Sequence, residues 1–151
     1  DGEASTSLLP DDEGFYQLMA FFEEERVGNV GAKEAGGHTI GVPCTRWGLE
    51  TNPYIDEVVA TDGLDERIDR LVSLGTGGYV VLPGGTGTLL ELATVWEHTA
   101  KDLMPRRPIV CLGTFWQPLV DLITGVRASA GEFVAMVQDA DELGEHFPRR
   151  R

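Results

Sequence analysis

The chain has 151 residues and a mass of 16.4 kDa, one domain's worth of sequence, and its 42% hydrophobic residues suffice for a single core. Twelve Lys and Arg against 25 Asp and Glu give a formal charge of -13, which argues against broad binding to nucleic acid or an anionic membrane but leaves room for a local anion site. No apolar run is long enough to cross a bilayer, and the opening DGEAST lacks the basic-then-apolar pattern of a signal peptide, so the cytoplasm is the expected location.

Asp1 to Pro10 is polar and small and reads as loose chain. From Asp11 the spacing of Phe15, Leu18, Met19 and Phe22 predicts a helix to about Arg26. GNVGAKEAGG then changes the character of the chain, with a short helical piece over Gly31–Ala35 feeding an apolar strand over His38–Pro43. Thr45–Pro53 reads as loop and Glu57–Thr61 as a short strand, after which Leu64, Ile68, Leu71 and Val72 mark one face of a helix closed by Gly75. Tyr79–Leu82 is a continuous apolar run bounded by Gly78 and Pro83, which suits a strand covered on both faces. The next helix starts at about Thr86, with Leu89, Leu92, Ala93, Trp96 and Ala100 on its expected buried stripe. Pro108–Leu112 reads as strand, Phe115 to about Arg127 as helix, Phe133–Val137 as the last strand and Asp139–Phe147 as a closing helix before a solvated PRRR tail. Cys44 and Cys111 sit in apolar runs without CxxC spacing, which predicts buried free thiols.

Strands that alternate with helices and read as unbroken apolar runs predict a single α/β domain over 1–151, a parallel sheet with helices on both faces. Ligands of such sheets bind beyond the carboxyl ends of the strands. There the run Leu82-Pro83-Gly84-Gly85-Thr86-Gly87-Thr88-Leu89-Leu90-Glu91 joins a strand to a helix. Its glycines admit a ligand close to the backbone, and the helix start offers free N–H groups and the positive end of the dipole. Together these predict a phosphate site at Gly84, Gly85, Thr86, Gly87 and Thr88, the two threonine hydroxyls adding donors. A Walker loop would need Lys where Thr88 stands, and a dinucleotide fingerprint would need Gly where Leu90 stands.

Glu91 follows Thr88 by three residues, on the same helix face and beside whatever the loop holds. An ionised carboxylate there can stabilise positive charge at an anomeric carbon or orient a water. Arg67, early in the preceding helix, can hold a phosphate or fix the Glu91 carboxylate; the plainer alternative is a surface pair with Asp65 or Glu66.

The run Pro83–Glu91 matches the PGGxGTxxE motif of the LOG (Lonely guy) family, and the chain resembles that family from roughly Gly31 to Leu122. ERIDRL, Glu66–Leu71, resembles the family segment that carries its arginine, and GAKEAGGHTIGV, Gly31–Val42, the piece ahead of both. The resemblance implies a Rossmann-like fold, usually dimeric, without cofactor or metal. It also implies a phosphoribohydrolase that splits nucleoside 5'-monophosphates, AMP or N6-modified AMP, into base and ribose 5-phosphate. On that resemblance Gly84–Thr88 bind phosphate, Glu91 and Arg67 are catalytic, and Glu50 is a further substrate contact. The family's usual first strand and GGGxxGLM turn are expected to be missing ahead of residue 31, and Ile68 stands where cytokinin-type members carry Lys.

Members of this family have been labelled lysine decarboxylases. A pyridoxal enzyme needs a Schiff-base lysine, and Lys33 in a polar helix and Lys101 near an exposed helix end are the only lysines in the chain. Glu97-His98 lacks metal-site spacing, His38 and His146 read as structural or solvated, and Trp47, Trp96 and Trp116 read first as packing residues. Two functions stay open: a nucleotide N-glycosidase, or a protein of the same fold that carries a nucleotide or molybdenum cofactor without turnover.

Overall fold

The computed structural model describes the backbone of residues 7–11 and 14–19 and the complete residues 29–47 and 53–147. In chain order the strands are β1 (Ser7–Asp11), β2 (Gly14–Met19), β3 (Ile40–Gly41), β4 (Glu57–Val58), β5 (Gly78–Val81), β6 (Ile109–Leu112) and β7 (Ala135–Val137). They form one seven-stranded sheet in the order β4-β3-β1-β2-β5-β6-β7. Residues 29–34 are helical, and the longer helices are α1 (Leu64–Leu74), α2 (Thr86–Ala100), α3 (Gln117–Val126) and α4 (Ala140–His146). The chain has a Rossmann-like α/β fold.

Parallel pairing joins β2 to β5, β5 to β6 and β6 to β7, so the carboxyl ends of all four strands share one edge. β5 is buried along its whole length, as an apolar run bounded by Gly and Pro requires. On one side of the sheet Tyr79, Val81, Ile109 and Cys111 pack against Leu92, Val95 and Trp96 of α2 and Val120 of α3. On the other side Val80 meets Leu82, Leu143 and Phe147. Cys44 and Cys111 are buried free thiols, and burial pushes the Cys111 thiol up to about 12.

The amino-terminal expectations are corrected. Residues 14–19 are strand and not helix, and Ser7–Asp11 pairs with them antiparallel instead of being loose. Phe15, Leu18 and Met19 fit a helical period locally, but Phe and Tyr also favour strands, and pairing with β5 decides the matter. The hairpin also puts two strands ahead of Gly31, where the sequence suggested none. β1 runs antiparallel to both its neighbours, so the sheet is mixed instead of wholly parallel. The expected missing Gly-rich turn falls on residues 20–28, outside the described residues.

Two elements are shorter than their apolar runs suggest: β3 and β4 have two residues each and are continued by a Cys44–Thr61 bridge. Polar side chains hold this edge. The Thr39 hydroxyl donates to the Tyr54 carbonyl at 2.6 Å, and the Thr39 N–H donates to Asp56 Oδ2 at 2.9 Å. Lys33 pairs with Asp56, and together with the Thr39 N–H it lowers the Asp56 carboxyl to about 2. Among the described residues no helix is long and apolar enough to cross a membrane.

The buried stripe of α2 is rotated from expectation. Leu92 and Trp96 are buried with Thr88, Glu91, Val95 and Thr99, whereas Leu89, Ala93 and Ala100 line an apolar groove of about 440 Å³ beside α3. A run apolar on both flanks does not reveal which flank meets the sheet.

Candidate functional site

The glycine-rich run lies at the carboxyl end of β5, where the sequence places it. Gly85 is the N-cap of α2 in an extended conformation, φ -97° and ψ -154°, and no side chain caps the helix. The Leu89 N–H donates to the Gly85 carbonyl at 2.9 Å, so the N–H groups before it face the sheet edge with the positive end of the dipole.

The glycines have different reasons to be there. Gly84 is buried, and a Cβ at that position would come within 2.5 Å of the Thr88 Cβ, so internal packing demands glycine. Gly87 is exposed, and a Cβ there would meet nothing within 4 Å. A glycine inside a helix costs about 1 kcal/mol relative to alanine. Its retention without a packing reason suits the close approach of a ligand. Thr86 is exposed at the mouth, whereas Thr88, 3% exposed, lies beneath the loop against Gly84.

Below the loop the two candidate catalytic residues meet. Arg67 on α1 and Glu91 on α2 are each 2% exposed, and Arg67 Nη1 donates to Glu91 Oε1 at 3.0 Å. Arg67 Nε donates to the Val42 carbonyl at 2.8 Å, so one guanidinium spans from the end of β3 to the carboxylate of α2. The surface-pair alternative is set aside: Glu66 accepts the Asp62 N–H at 2.8 Å, and Arg67 is turned inward. A buried ion pair stabilises a fold poorly compared with apolar packing of the same volume, because both charges lose their hydration. This pair lies beneath the uncapped start of α2.

Sequence reasoning missed two supports of this site. The Val42 carbonyl receives Arg67 from 25 residues away, and the Trp116 indole donates to the Leu82 carbonyl at 2.9 Å, pinning β5 just before the loop turns. Both are long-range, and no local pattern announces them. Trp96 and Trp116 are packing residues as expected, but Trp47 is 46% exposed, which corrects its assignment to the core. Glu50 lies outside the described residues. Both lysines are surface groups in ion pairs, Lys33 with Asp56 and Lys101 with Glu97 at 3.8 Å. His38 is exposed and lies 3.3 Å from Glu57.

A protein-family model described as possible lysine decarboxylase matches residues 26–147. The match spans α1, the glycine-rich loop, α2 and everything through α4. No curated protein matches the chain.

Proposed function

The chain belongs to the possible lysine decarboxylase, or LOG, family, and from that membership and the site geometry we propose that it is a nucleoside 5'-monophosphate phosphoribohydrolase. The observation that carries this reading is the buried Arg67–Glu91 pair within two helical turns of a helix start that no side chain caps. In this reading the N–H groups at Gly85–Thr88 take the 5'-phosphate, which brings the ribose toward Glu91. The bond between C1' and the base nitrogen breaks, its electron pair leaving with the base, which takes up a proton. Water supplies the oxygen that bonds to C1'. Glu91 stabilises the oxocarbenium-like charge and orients that water, while Arg67 holds the carboxylate in place. Lys33 and Lys101 are both surface groups in ion pairs, which disfavours either of them as the Schiff-base residue of a pyridoxal decarboxylase. The resemblance further implies a dimer, and the apolar groove between α2 and α3, with Leu89 and Ile123 exposed beside it, is a face that a second copy of the chain would bury. Sedimentation is expected to return twice the chain mass.

A release assay for ribose 5-phosphate from AMP and N6-modified AMP tests the activity. Glu91→Gln is expected to abolish release while leaving nucleotide affinity within about tenfold, ~1.4 kcal/mol. Unimpaired turnover in that variant would remove Glu91 from the mechanism. The near-complete burial of the Glu91 side chain, 3% exposed, favours one second reading, a carrier that holds a phosphorylated ligand without cleaving it. Binding without release from any nucleotide is the result that selects it.

A further inference from the structure

A nucleotide gripped at Gly84–Thr88 with its sugar at Glu91 must place its base somewhere, and the described chain offers one direction that follows its covalent order. From Glu91 the Arg67 side chain leads to the Val42 carbonyl. Two residues on, Cys44 bridges Thr61, and the chain turns through a short 3-10 helix, Thr45–Trp47. β3 is antiparallel to β1 and β1 is antiparallel to β2, so β3 runs with β5 and this turn stands at the same carboxyl edge as the loop. The turn is braced: the Thr45 N–H donates to the Thr61 carbonyl at 2.8 Å and the Trp47 N–H to the Cys44 carbonyl at 3.0 Å. At its end Trp47 is 46% exposed, and among the described residues its ring has neither a hydrogen bond for the indole nor an aromatic neighbour. Trp96 and Trp116, by contrast, are buried and donate to the Ala130 and Leu82 carbonyls.

We propose that Trp47 is the stacking platform for the base of the bound nucleotide, an inference that rests on the nucleotide reading above. An indole on a braced turn offers a large, rigid face whose stacking on a base is tolerant of sequence and needs no hydrogen bond. Phosphate, sugar and base then lie in order over the loop, the ion pair and Trp47. Phe115, 54% exposed, follows β6 and sits edge-on to Trp116, on the opposite side of β5 in the strand order from β3 and its turn. The base contact is accordingly set by shape and π-stacking, and modification of the base is tolerated as long as its face stays open.

The experiment compares AMP with ribose 5-phosphate, the same ligand without its base, by titration of intrinsic fluorescence and by calorimetry. AMP should quench the exposed tryptophan, and ribose 5-phosphate should not. Trp47→Phe should remove the quench while keeping AMP affinity within a few-fold, because a ring remains. Trp47→Leu should weaken AMP about tenfold and leave ribose 5-phosphate unchanged. The inference is overturned if the quench survives in Trp47→Phe, if Trp47→Leu weakens both ligands alike, or if Phe115→Leu produces the loss instead. Wild-type protein that binds ribose 5-phosphate as well as AMP overturns the platform alone, whereas binding of neither overturns the nucleotide reading and the platform with it.

Discussion

Two helices begin at the carboxyl edge of the same sheet and solve the same problem in opposite ways. α4 follows β7, and its N-cap Asp139 spends a carboxylate on the first free donors, accepting from the Asp141 and Glu142 N–H groups at 3.0 and 2.9 Å. Gln138 adds its own N–H to Glu142 at 2.8 Å, which completes a closed polar turn. α2 follows β5 with Gly85 at the same position and no side-chain cap. With glycine at the N-cap, omitting the side-chain cap forgoes only a few tenths of a kcal/mol against a Ser, Thr, Asp or Asn cap. One helix start is finished by the chain itself; the other is left for something outside it. Among the described residues the Arg67–Glu91 ion pair has no counterpart near α4, where the acidic groups of the first turn are exposed.

The largest expected effect comes from breaking that pair. Arg67→Ala leaves the Glu91 carboxylate buried without its guanidinium and the Val42 carbonyl without its donor, and should cost about 3–5 kcal/mol in a denaturant titration. Replacing both partners by Met and Leu should restore most of that stability and none of the activity. A double variant as unstable as the single one would mean that the pair holds the fold together and is not reserved for chemistry.

The two helix starts also differ in how far they could be read in advance. Asp139 before an acidic first turn announces α4 locally, and Tyr79–Glu91 announces a strand, a turn and a helix in the right order. The facing of Glu91 and Arg67 is partly legible, because both sit early in helices whose strands end at one edge. What no local pattern carries is the partner 24 residues away that buries the carboxylate, or the 34-residue reach from Trp116 to Leu82. Gly14–Met19 is misread for the same reason: its spacing satisfies a helix, and its strand pairing with Gly78–Val81 lies more than 60 residues along the chain. Trp47 is misread because an aromatic defaults to the core unless its surroundings are known.

The next effect in size separates the two kinds of glycine in the loop. Gly84→Ala drives a Cβ to within 2.5 Å of the Thr88 Cβ, which belongs to a helical residue that cannot rotate away. A loss of about 1–3 kcal/mol is expected, with phosphate affinity falling because the loop must shift. Thr88→Gly in the same chain should relieve the clash, so the two substitutions are strongly non-additive in a double-mutant cycle. Additive costs would show that the loop already gives way at Gly84 and that its shape is not set by this contact.

The smallest effect on stability is the most direct test of the contrast. Gly85→Asp transplants the α4 solution onto α2, at a φ of -97° that any residue adopts. Aspartate at an N-cap is better than glycine by only a few tenths of a kcal/mol, so the melting temperature should hold or rise slightly. Ligand binding should move the other way and by far more. The new carboxylate accepts the N–H groups that a phosphate would need and sets a like charge beside it, so nucleotide affinity should fall by a factor on the order of 100. Opposite signs in the two measurements mark a helix start kept open at the expense of stability. If affinity survives with the cap in place, the phosphate is held elsewhere, and the open start of α2 is only a cap that the chain does without.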